Sequence, residues 1–434
     1  MGSNARGYKG VGAVSYETLI RDVYKFNKDR DKLKAYHQGC KRLAALGVTL
    51  PPEVRVLEIV VNWPRLVIES LEERLDVEGF RLAGSDTTDQ RLWGWWQARD
   101  MDNESSLLHT ETLIQGRAFS IVGNPVTGND PAITVHSAKG MAMHLDPLTG
   151  EPLEALRHYT DVDDVDAGAH YTPNTTEYFK RGTGGWLRHK TVNHRLGMVP
   201  VTPFVNRGLI DAREGESEMT DAMVLTDACS RTLTNLQISQ ELVSIPGKWV
   251  MGASGTDFVD RDGNIVPRWQ AYIGHVLAIS NPNAKAGQFA GADLRNFVEV
   301  VNLYARLVSS LSGLPAAFLG LTTDNPPSAE AITASEARLI KRAERKQRAF
   351  GASWERTMRV AMRLAGVSGG ERLETVWRDP ATPTLASKAD AATKLVQAGI
   401  LPVDMALEMM GFSAEQRRRA AELRMDPTLS AVGL

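Results

Sequence analysis

Residues 328–365 read SAEAITASEARLIKRAERKQRAFGASWERTMRVAMRLA, and this segment constrains the architecture of the chain more than any other. Its apolar residues recur at the spacing of one helical face. They are Ile332, Leu339, Ala343, Phe350, Trp354, Met358 and Met362. An unbroken helix over Ser328–Ala365 is roughly 57 Å long at 1.5 Å per residue. The core of one subunit does not need so long a helix, so we expect it to cross between layers or to pack against neighbouring subunits.

Two shorter helices precede this segment and enclose a small mixed region. Apolar residues step by three, four and seven through Glu216–Val243, which predicts one amphipathic helix. A second such stripe predicts a helix over Ala292–Ser312. Between them, residues 244–291 contain the strand-like Lys248–Met251 and a predicted hairpin turn at Asp262-Gly263. The order is therefore helix, small insert, return helix, loop and long helix.

The N-terminal half changes from helical to strand-like texture. Helical spacing occurs within residues 15–47 and across Asp86–Gln115, whereas Val54–Leu75 alternates apolar and polar positions. Short runs separated by Gly, Pro, Asn or Asp then predict antiparallel strands. These runs are Ala118–Val122, Ala132–His136, Met141–Leu145, Ala155–Tyr159, Glu177–Lys180 and Trp186–His189. The tail from Glu371 predicts two or three short helices, so the fold class is α+β and predominantly helical.

Composition excludes several classes of protein. The 434 residues carry Lys+Arg 50 against Asp+Glu 52, and this balance argues against a general nucleic-acid coat. The sequence contains no run of about 18 apolar residues, so it predicts no membrane-spanning helix. Two cysteines, Cys40 and Cys229, are too few for a disulfide framework or a zinc site. We therefore expect a soluble protein of a reducing compartment with two or three packed units.

The sequence lacks the motifs of the common catalytic folds. It contains no GxxxxGK[ST] phosphate loop and no GxGxxG dinucleotide fingerprint. Ser254 is followed by Thr256 where a nucleophile elbow requires glycine. We therefore predict no enzymatic activity, no cofactor and no metal.

One acidic stretch offers an alternative. Asp161, Asp163, Asp164 and Asp166 could gather Mg²⁺ for hydrolysis of a phosphodiester. A solvated loop explains them better, because adjacent carboxylates repel one another without a metal. A metal-dependent nuclease or phosphodiesterase remains the alternative function.

A C-terminal pattern offers a second alternative. Ala406–Ser413 is followed by the basic Gln416–Arg424, and a small residue with a Gly five positions later resembles a helix-turn-helix. Helical hairpins with a glycine turn are common, so a helical DNA-binding scaffold is the weaker interpretation.

Basic residues crowd one part of the long helix. They are Arg338, Lys341, Arg342, Arg345, Lys346 and Arg348. Such a surface suits DNA phosphates or an acidic neighbouring subunit. A solvated helix with i,i+4 pairs such as Glu344 with Arg348 explains it equally.

Together these segments resemble the portal proteins of tailed bacteriophages, in particular the siphophage type found in phages of actinobacteria. Five stretches carry the resemblance through their number and order. They are Leu196–Asn206 (LGMVPVTPFVN), Leu314–Gly320, Asn325–Ile332, Trp377–Pro380 and Lys394–Pro402.

The resemblance implies a portal fold with wing, stem, clip and a short crown. By position, the segments are the N-terminal wing (1–215), a stem helix (216–243), the clip (244–291), a second stem helix (292–312), the tunnel loop (313–327), the long wing helix (328–369) and the crown (370–434).

The resemblance also implies roles for particular residues. The tunnel loop would present Thr322, Thr323, Asp324 and Asn325 to DNA. The channel-facing stem acids would be Glu216, Glu218, Asp221, Asp227 and Glu241. The clip would meet its partners through Lys248, Arg261, Asp262 and Arg268. The six basic residues of the long helix would face DNA or a neighbouring subunit.

The implied function is a conduit for double-stranded DNA at the unique capsid vertex. The chain would form a ring, usually of twelve copies, and would touch DNA transiently and without sequence specificity. Its other partners would be the large terminase, a head-completion adaptor, and the major capsid and scaffolding proteins, with no membrane. It would be assembled in the host bacterial cytoplasm and reside in the virion. Acidic stem helices fit this role, since each phosphate that a protein neutralises adds to its affinity for DNA.

Overall fold

The computed structural model describes residues 16–27, 30–40, 59–82, 84–85, 87–124, 130–210, 212–243, 248–252, 283, 285–288, 294–321, 328–370, 372–381, 385–412 and 417–421. Its α-helices are α1 (Tyr16–Asn27), α2 (Arg30–His37), α3 (Trp63–Glu72), α4 (Gln90–Gln97), α5 (Met101–Gln115), α6 (Thr220–Val243), α7 (Arg295–Ser312), α8 (Ala329–Leu364), α9 (Leu385–Gln397) and α10 (Val403–Met409). Its strands are β1 (Val77–Leu82), β2 (Arg117–Gly123), β3 (Ala132–Ser137), β4 (Met141–Leu145), β5 (Pro152–Thr160), β6 (Asp166–Tyr171), β7 (Thr175–Gly182), β8 (Gly185–Asn193), β9 (Val201–Val205), β10 (Lys248–Met251), β11 (Lys285–Gln288) and β12 (Leu373–Trp377).

Within the described residues, the strands pair in four antiparallel sheets. Strands β4 to β8 form a five-stranded meander in sequence order, and β2 lies between β3 and β9 in a three-stranded sheet. Strand β1 pairs with β12, which joins the N-terminal region to the segment that follows α8. Strands β10 and β11 pair as a separate ribbon.

The sheets and helices stack in layers. Leu19, Ile20 and Val23 of α1 pack on one face of the five-stranded sheet. The opposite face packs on the three-stranded sheet, in a buried cluster that includes Tyr171 of β6 and Phe119 of β2. The far side of that smaller sheet contacts α5 and α8. Strands β5 and β6 therefore bury residues on both sides, whereas β8 at the edge of the five-stranded sheet is mostly exposed.

The position of α1 on the five-stranded sheet depends on a glycine in β6. The ring of Tyr16 lies 4.2 Å from that of Phe179 and 5.0 Å from that of Trp186, measured between centroids. A Cβ on Gly168 would lie 2.0 Å from the Tyr16 hydroxyl. The absence of a side chain at this position therefore lets the first helix lie flat on the sheet.

The long helix α8 crosses the largest core. The Ser328 side chain accepts a hydrogen bond from the backbone N–H of Ala331 and so caps its start. Its 36 residues span about 54 Å. Phe350, Trp354 and Met358 are fully buried, and Trp354 Nε1 donates to His109 Nε2 on α5 at 2.9 Å. Burial lowers the pKa of His109 to about 3, so this imidazole is a neutral core acceptor.

The structure corrects several predictions at the level of elements. Residues 63–72 are helical rather than alternating, because Asn62 caps α3 and Pro64 occupies its first turn. The predicted helix Asp86–Gln115 is two helices, interrupted at Asp100, which adopts a left-handed conformation (φ 51°). Strands β6 and β9 were not predicted. The segment after Glu371 begins with β12 rather than with a helix.

Candidate functional site: the helical stem and its joint with the long helix

Helices α6 and α7 flank the β10–β11 ribbon in the sequence, and they contact each other. Helix α6 begins at Thr220, four residues after the predicted start, and ends at Val243 as predicted. Helix α7 begins at Arg295 and ends at Ser312, where Gly313 caps it in a left-handed conformation (φ 69°) that glycine adopts without strain. These two helices lie within the segments for which the stem role was predicted.

Much of the apolar surface of α7 is uncovered. Its buried residues are Ala305, Val308 and Ser312. Beside them lies a second row of apolar residues, spaced three and four apart, which we call the apolar flank. It consists of Val300 (37% exposed), Leu303 (52%), Leu307 (40%) and Leu311 (50%). A helix that is apolar on more than its own packing face has a further surface to bury.

Buried charged side chains connect the start of α6 to α8, and we call this cluster of side chains the joint. Glu218 has a side chain 1% exposed, and its carboxylate pairs with Arg342 and with Lys346, the latter at 2.8 Å. Burial alone raises the pKa of Glu218, but the charges of Lys346, Arg342 and Arg207 outweigh it and lower that pKa to about 2. Lys346 also donates to Asn206 Oδ1.

Arg207 completes the joint from the segment between β9 and α6. Its guanidinium lies 3.5 Å from Glu218 and 2.9 Å from Asp221. Its backbone is left-handed (φ 50°), a conformation that costs a residue with a Cβ about 1 kcal/mol or more. The surrounding contacts therefore hold Arg207 in a strained position.

The predicted channel-facing acids have different surroundings. The structure contradicts this prediction for Glu218, because its carboxylate is buried against the cations of α8. Glu216 is exposed and precedes α6. Asp221 is paired with Arg207, and Asp227 accepts a hydrogen bond of 2.6 Å from the Tyr36 hydroxyl. Glu241 lies in the last turn of α6, and its side chain is outside the described atoms.

The six basic residues of the long helix divide into two groups. Arg342 and Lys346 turn inward to Glu218. Lys341 pairs with Glu344 at 2.8 Å, and Arg338 donates to the Ser310 carbonyl of α7 at 2.6 Å. Arg345 and Arg348 are exposed. The predicted basic face is therefore partly a buried joint and only partly a free surface.

The remaining predicted site residues lie mostly outside the described residues. Thr322, Thr323, Asp324 and Asn325 do so, as do Arg261, Asp262 and Arg268. Lys248 begins strand β10, where its backbone pairs with Gln288. The structure therefore describes the base of the predicted clip but not its tip.

The acidic stretch forms the turn between β5 and β6. Asp161 Oδ1 accepts the backbone N–H groups of Asp163 and Val165, and Asp161 Oδ2 pairs with Lys180 at 2.6 Å. These contacts stabilise a hairpin turn. Among the described residues, no group of three or more His, Cys, Asp or Glu side chains is placed to hold a metal ion.

The C-terminal pattern contains α10 and a further helical turn at 417–421. Arg417 folds back on α10 and pairs with Asp404 at 3.3 Å and Glu408 at 2.7 Å. In the part of the chain that the structure describes, no helix is both long and apolar enough to cross a membrane.

Sequence reasoning missed two features of this region. The apolar flank could have been found, since positions 300, 303, 307 and 311 follow helical spacing beside the stripe that was recognised. Arg207 carries no sequence signal, because its role comes from a left-handed backbone and a buried partner 11 residues later.

Comparison with known proteins supplies independent evidence. Residues 18–426 match the family model described as "Phage portal protein, SPP1 Gp6-like". The portal protein of Mycobacterium phage D29 is 36% identical and that of Mycobacterium phage L5 is 37% identical, each over 440 residues. Both alignments cover 97% of this chain and 90% of the relative.

Solved structures show the same fold at low sequence identity. The neck of an empty GTA particle, computed with C6 symmetry, matches with a TM-score of 0.51. The neck of the native GTA particle, computed with C12 symmetry, matches with a TM-score of 0.50. Both are 15% identical, and each alignment covers 89% of this chain and 94% of the neck chain.

Proposed function

Because this chain belongs to the SPP1 Gp6-like family of phage portal proteins, we propose that it closes into a ring at the unique capsid vertex and conducts double-stranded DNA during packaging and ejection. The chain is then a structural component of the virion, assembled in the host bacterial cytoplasm. ATP hydrolysis belongs to a separate terminase chain, and the portal itself hydrolyses nothing.

The apolar flank of α7 is the observation that carries this proposal. Leu303 and Leu311 are each about half exposed in the isolated chain. Burying such side chains contributes about 1 kcal/mol or more each, at roughly 25 cal/mol per Å². In a ring every subunit offers the same flank to its neighbour, so this contribution is repeated around the circle.

Twelve subunits are the proposed number. The neck of the native GTA particle, which shares the fold, was computed with C12 symmetry. A ring in which α6 and α7 surround the axis places their polar residues near DNA. Asp221, Asp227 and Glu216 remain candidates for that lining, whereas Glu218 does not.

The tunnel loop and clip keep their proposed roles from their place in the chain. Thr322, Thr323, Asp324 and Asn325 lie in the loop 313–327 after α7 and carry one charge among four residues, so they would contact DNA without binding it tightly. Lys248, Arg261, Asp262 and Arg268 lie in the insert between the stem helices. We propose that this insert binds the large terminase and, after packaging, the head-completion adaptor. The major capsid and scaffolding proteins would contact the wing.

A pair of substitutions on α7 tests ring formation. Leu303→Asp with Leu307→Asp places two carboxylates in the apolar flank without touching the buried residues of α7. We expect the variant to stay folded and to lose rings, because desolvating each unpaired charge at an interface costs several kcal/mol. Negative-stain images and light scattering measure the outcome.

The control is Ser310→Asp, which adds one carboxylate, half the charge of the double variant, at an exposed polar position of the same helix. It should keep its rings. If the double variant forms rings as readily as the unsubstituted protein, the apolar flank is not the subunit interface.

A further inference from the structure

A cleft opens beside the joint of stem and wing. Its volume is about 430 Å³. Three cationic side chains line it, those of Arg207, Arg345 and Lys346, together with the small residues Gly208 and Ala349. The lining therefore combines a concave space with three cationic donor groups that bind oxyanions well.

The joint holds more positive than negative charge. Arg207, Arg342 and Lys346 surround Glu218, Arg207 also interacts with Asp221 and Glu216, and Arg345 lines the adjoining cleft, so four cations outnumber three carboxylates by one. Burial lowers the pKa of Lys346, and the neighbouring Arg207 and Arg342 lower it further against the opposing effect of Glu218. An added anion would relieve this excess.

One donor of the joint, on Arg342, and one donor of the cleft, on Arg345, have unused capacity. Arg342 Nη1 is buried and has no hydrogen-bond partner among the described residues. Arg345 is exposed and forms no ion pair with any described side chain, while the adjacent Glu344 is already paired with Lys341. Unsatisfied buried donors are rare in native proteins, and they often mark the place of a missing ion or partner.

We propose that this cleft binds a phosphate group through Arg207, Arg345 and Lys346. The source favoured by the structure is the backbone of duplex DNA. Arg348 follows Arg345 by one turn and is also exposed, so the positive surface continues beyond the cleft, as contact with a polyanion requires. The left-handed backbone of Arg207 is the kind of local strain that concentrates at binding sites.

Titration with inorganic phosphate tests the cleft without assuming DNA contact. The protein is titrated by calorimetry against a chloride control of equal ionic strength. We expect Arg345→Gln to weaken phosphate binding about tenfold, the effect of one hydrogen bond to a charged group. Ala349→Glu should abolish binding, because it places a carboxylate in the cleft, whereas Arg348→Gln, outside the lining of the cleft, should retain it.

Titration with a short DNA duplex then identifies the source of the phosphate, and this arm alone rests on the proposed function. If the backbone is the source, Arg345→Gln lowers the slope of log affinity against log salt by about one for each cleft that is occupied. An unchanged slope with weakened phosphate binding identifies free phosphate as the ligand.

Two results would overturn the proposal. Phosphate affinity that is the same in the unsubstituted protein, Arg345→Gln and Ala349→Glu would show that the cleft binds no phosphate. Rings lost in Arg345→Gln while phosphate and duplex binding persist would assign Arg345 to a contact between subunits. Absence of rings in the unsubstituted protein would instead contradict the proposed function and leave the phosphate measurement intact.

Discussion

Glu218 illustrates how a single residue can join two parts of this molecule. Its carboxylate lies at the start of α6, yet its partners Arg342 and Lys346 lie on α8, more than 120 residues later. A lone buried carboxylate would be neutral, but the surrounding cations keep it ionised. The start of α6 and the long helix α8 are thus connected by ion pairs.

Removing that charge should destabilise the fold. Glu218→Gln leaves Arg342, Lys346 and Arg207 around a neutral amide, and breaking a buried ion pair in this way costs about 3 kcal/mol. Thermal or denaturant unfolding at fixed protein concentration measures the change. Glu216→Gln, two residues earlier and exposed, should change stability by less than about 0.5 kcal/mol. Equal stability of the two variants would show that the joint contributes little.

The same residue predicts a pH dependence in acid. The pKa of Glu218 is lowered from 4.5 to about 2 in the folded state, so its contribution is complete above pH 4.5 and is lost as the pH falls towards 2. The shift corresponds to roughly 3 kcal/mol. Unfolding free energy measured from pH 5 to pH 2 should therefore fall less steeply in Glu218→Gln than in the unsubstituted protein. Parallel curves would contradict the assignment.

At the scale of elements, α1 is held on the five-stranded sheet by shape. Leu19, Ile20 and Val23 supply the apolar contact, and the bare backbone of Gly168 admits the Tyr16 ring. This seat depends on the spacing of one helix over one strand, and the sequence of either element alone does not reveal it.

A methyl group at position 168 should therefore displace α1. Gly168→Ala is expected to cost about 1–3 kcal/mol, because the new Cβ overlaps the Tyr16 hydroxyl. Gly184→Ala is the control, since a Cβ there meets nothing within 4 Å. Circular dichroism melts compare the two variants. If Gly168→Ala melts at the temperature of the control, α1 accommodates the methyl group and the seat is not tight.

The elements whose sequence pattern is local could be predicted from the sequence. The stripe from Ile332 to Met362 predicted α8 to within one residue at each end, because helical periodicity over many turns is a strong signal. It could not reach β12 or the burial of Glu218. Strand β12 forms because it pairs with β1, almost 300 residues earlier, and Glu218 is buried because α8 supplies its cations.

In the candidate site too, the local patterns were predicted from the sequence and the long-range contacts were not. Acidic residues on α6 and basic residues on α8 were recognised as two separate surfaces, one for the channel and one for DNA or a neighbour. The structure shows that Glu218, Arg342 and Lys346 neutralise each other at the joint. Arg345 and Arg348 are the residues that remain available from the basic stretch.

At the scale of the whole molecule, the layered fold makes most sense in a ring. The apolar flank of α7 is uncovered in one subunit, and the N-terminal turns of α8 from Ala331 to Ser335 are exposed. An isolated chain would leave both surfaces in water. In a cyclic assembly, one face of each subunit packs against a different face of its neighbour, and such surfaces are buried in the contact.

The mass of the purified full-length protein tests this account most directly. Native mass spectrometry, with images of the same sample, should give closed rings whose mass is a whole multiple of 47.6 kDa, with twelve copies expected. A monomer at every concentration, with no rings in the images, would contradict the claim that this chain builds a portal ring.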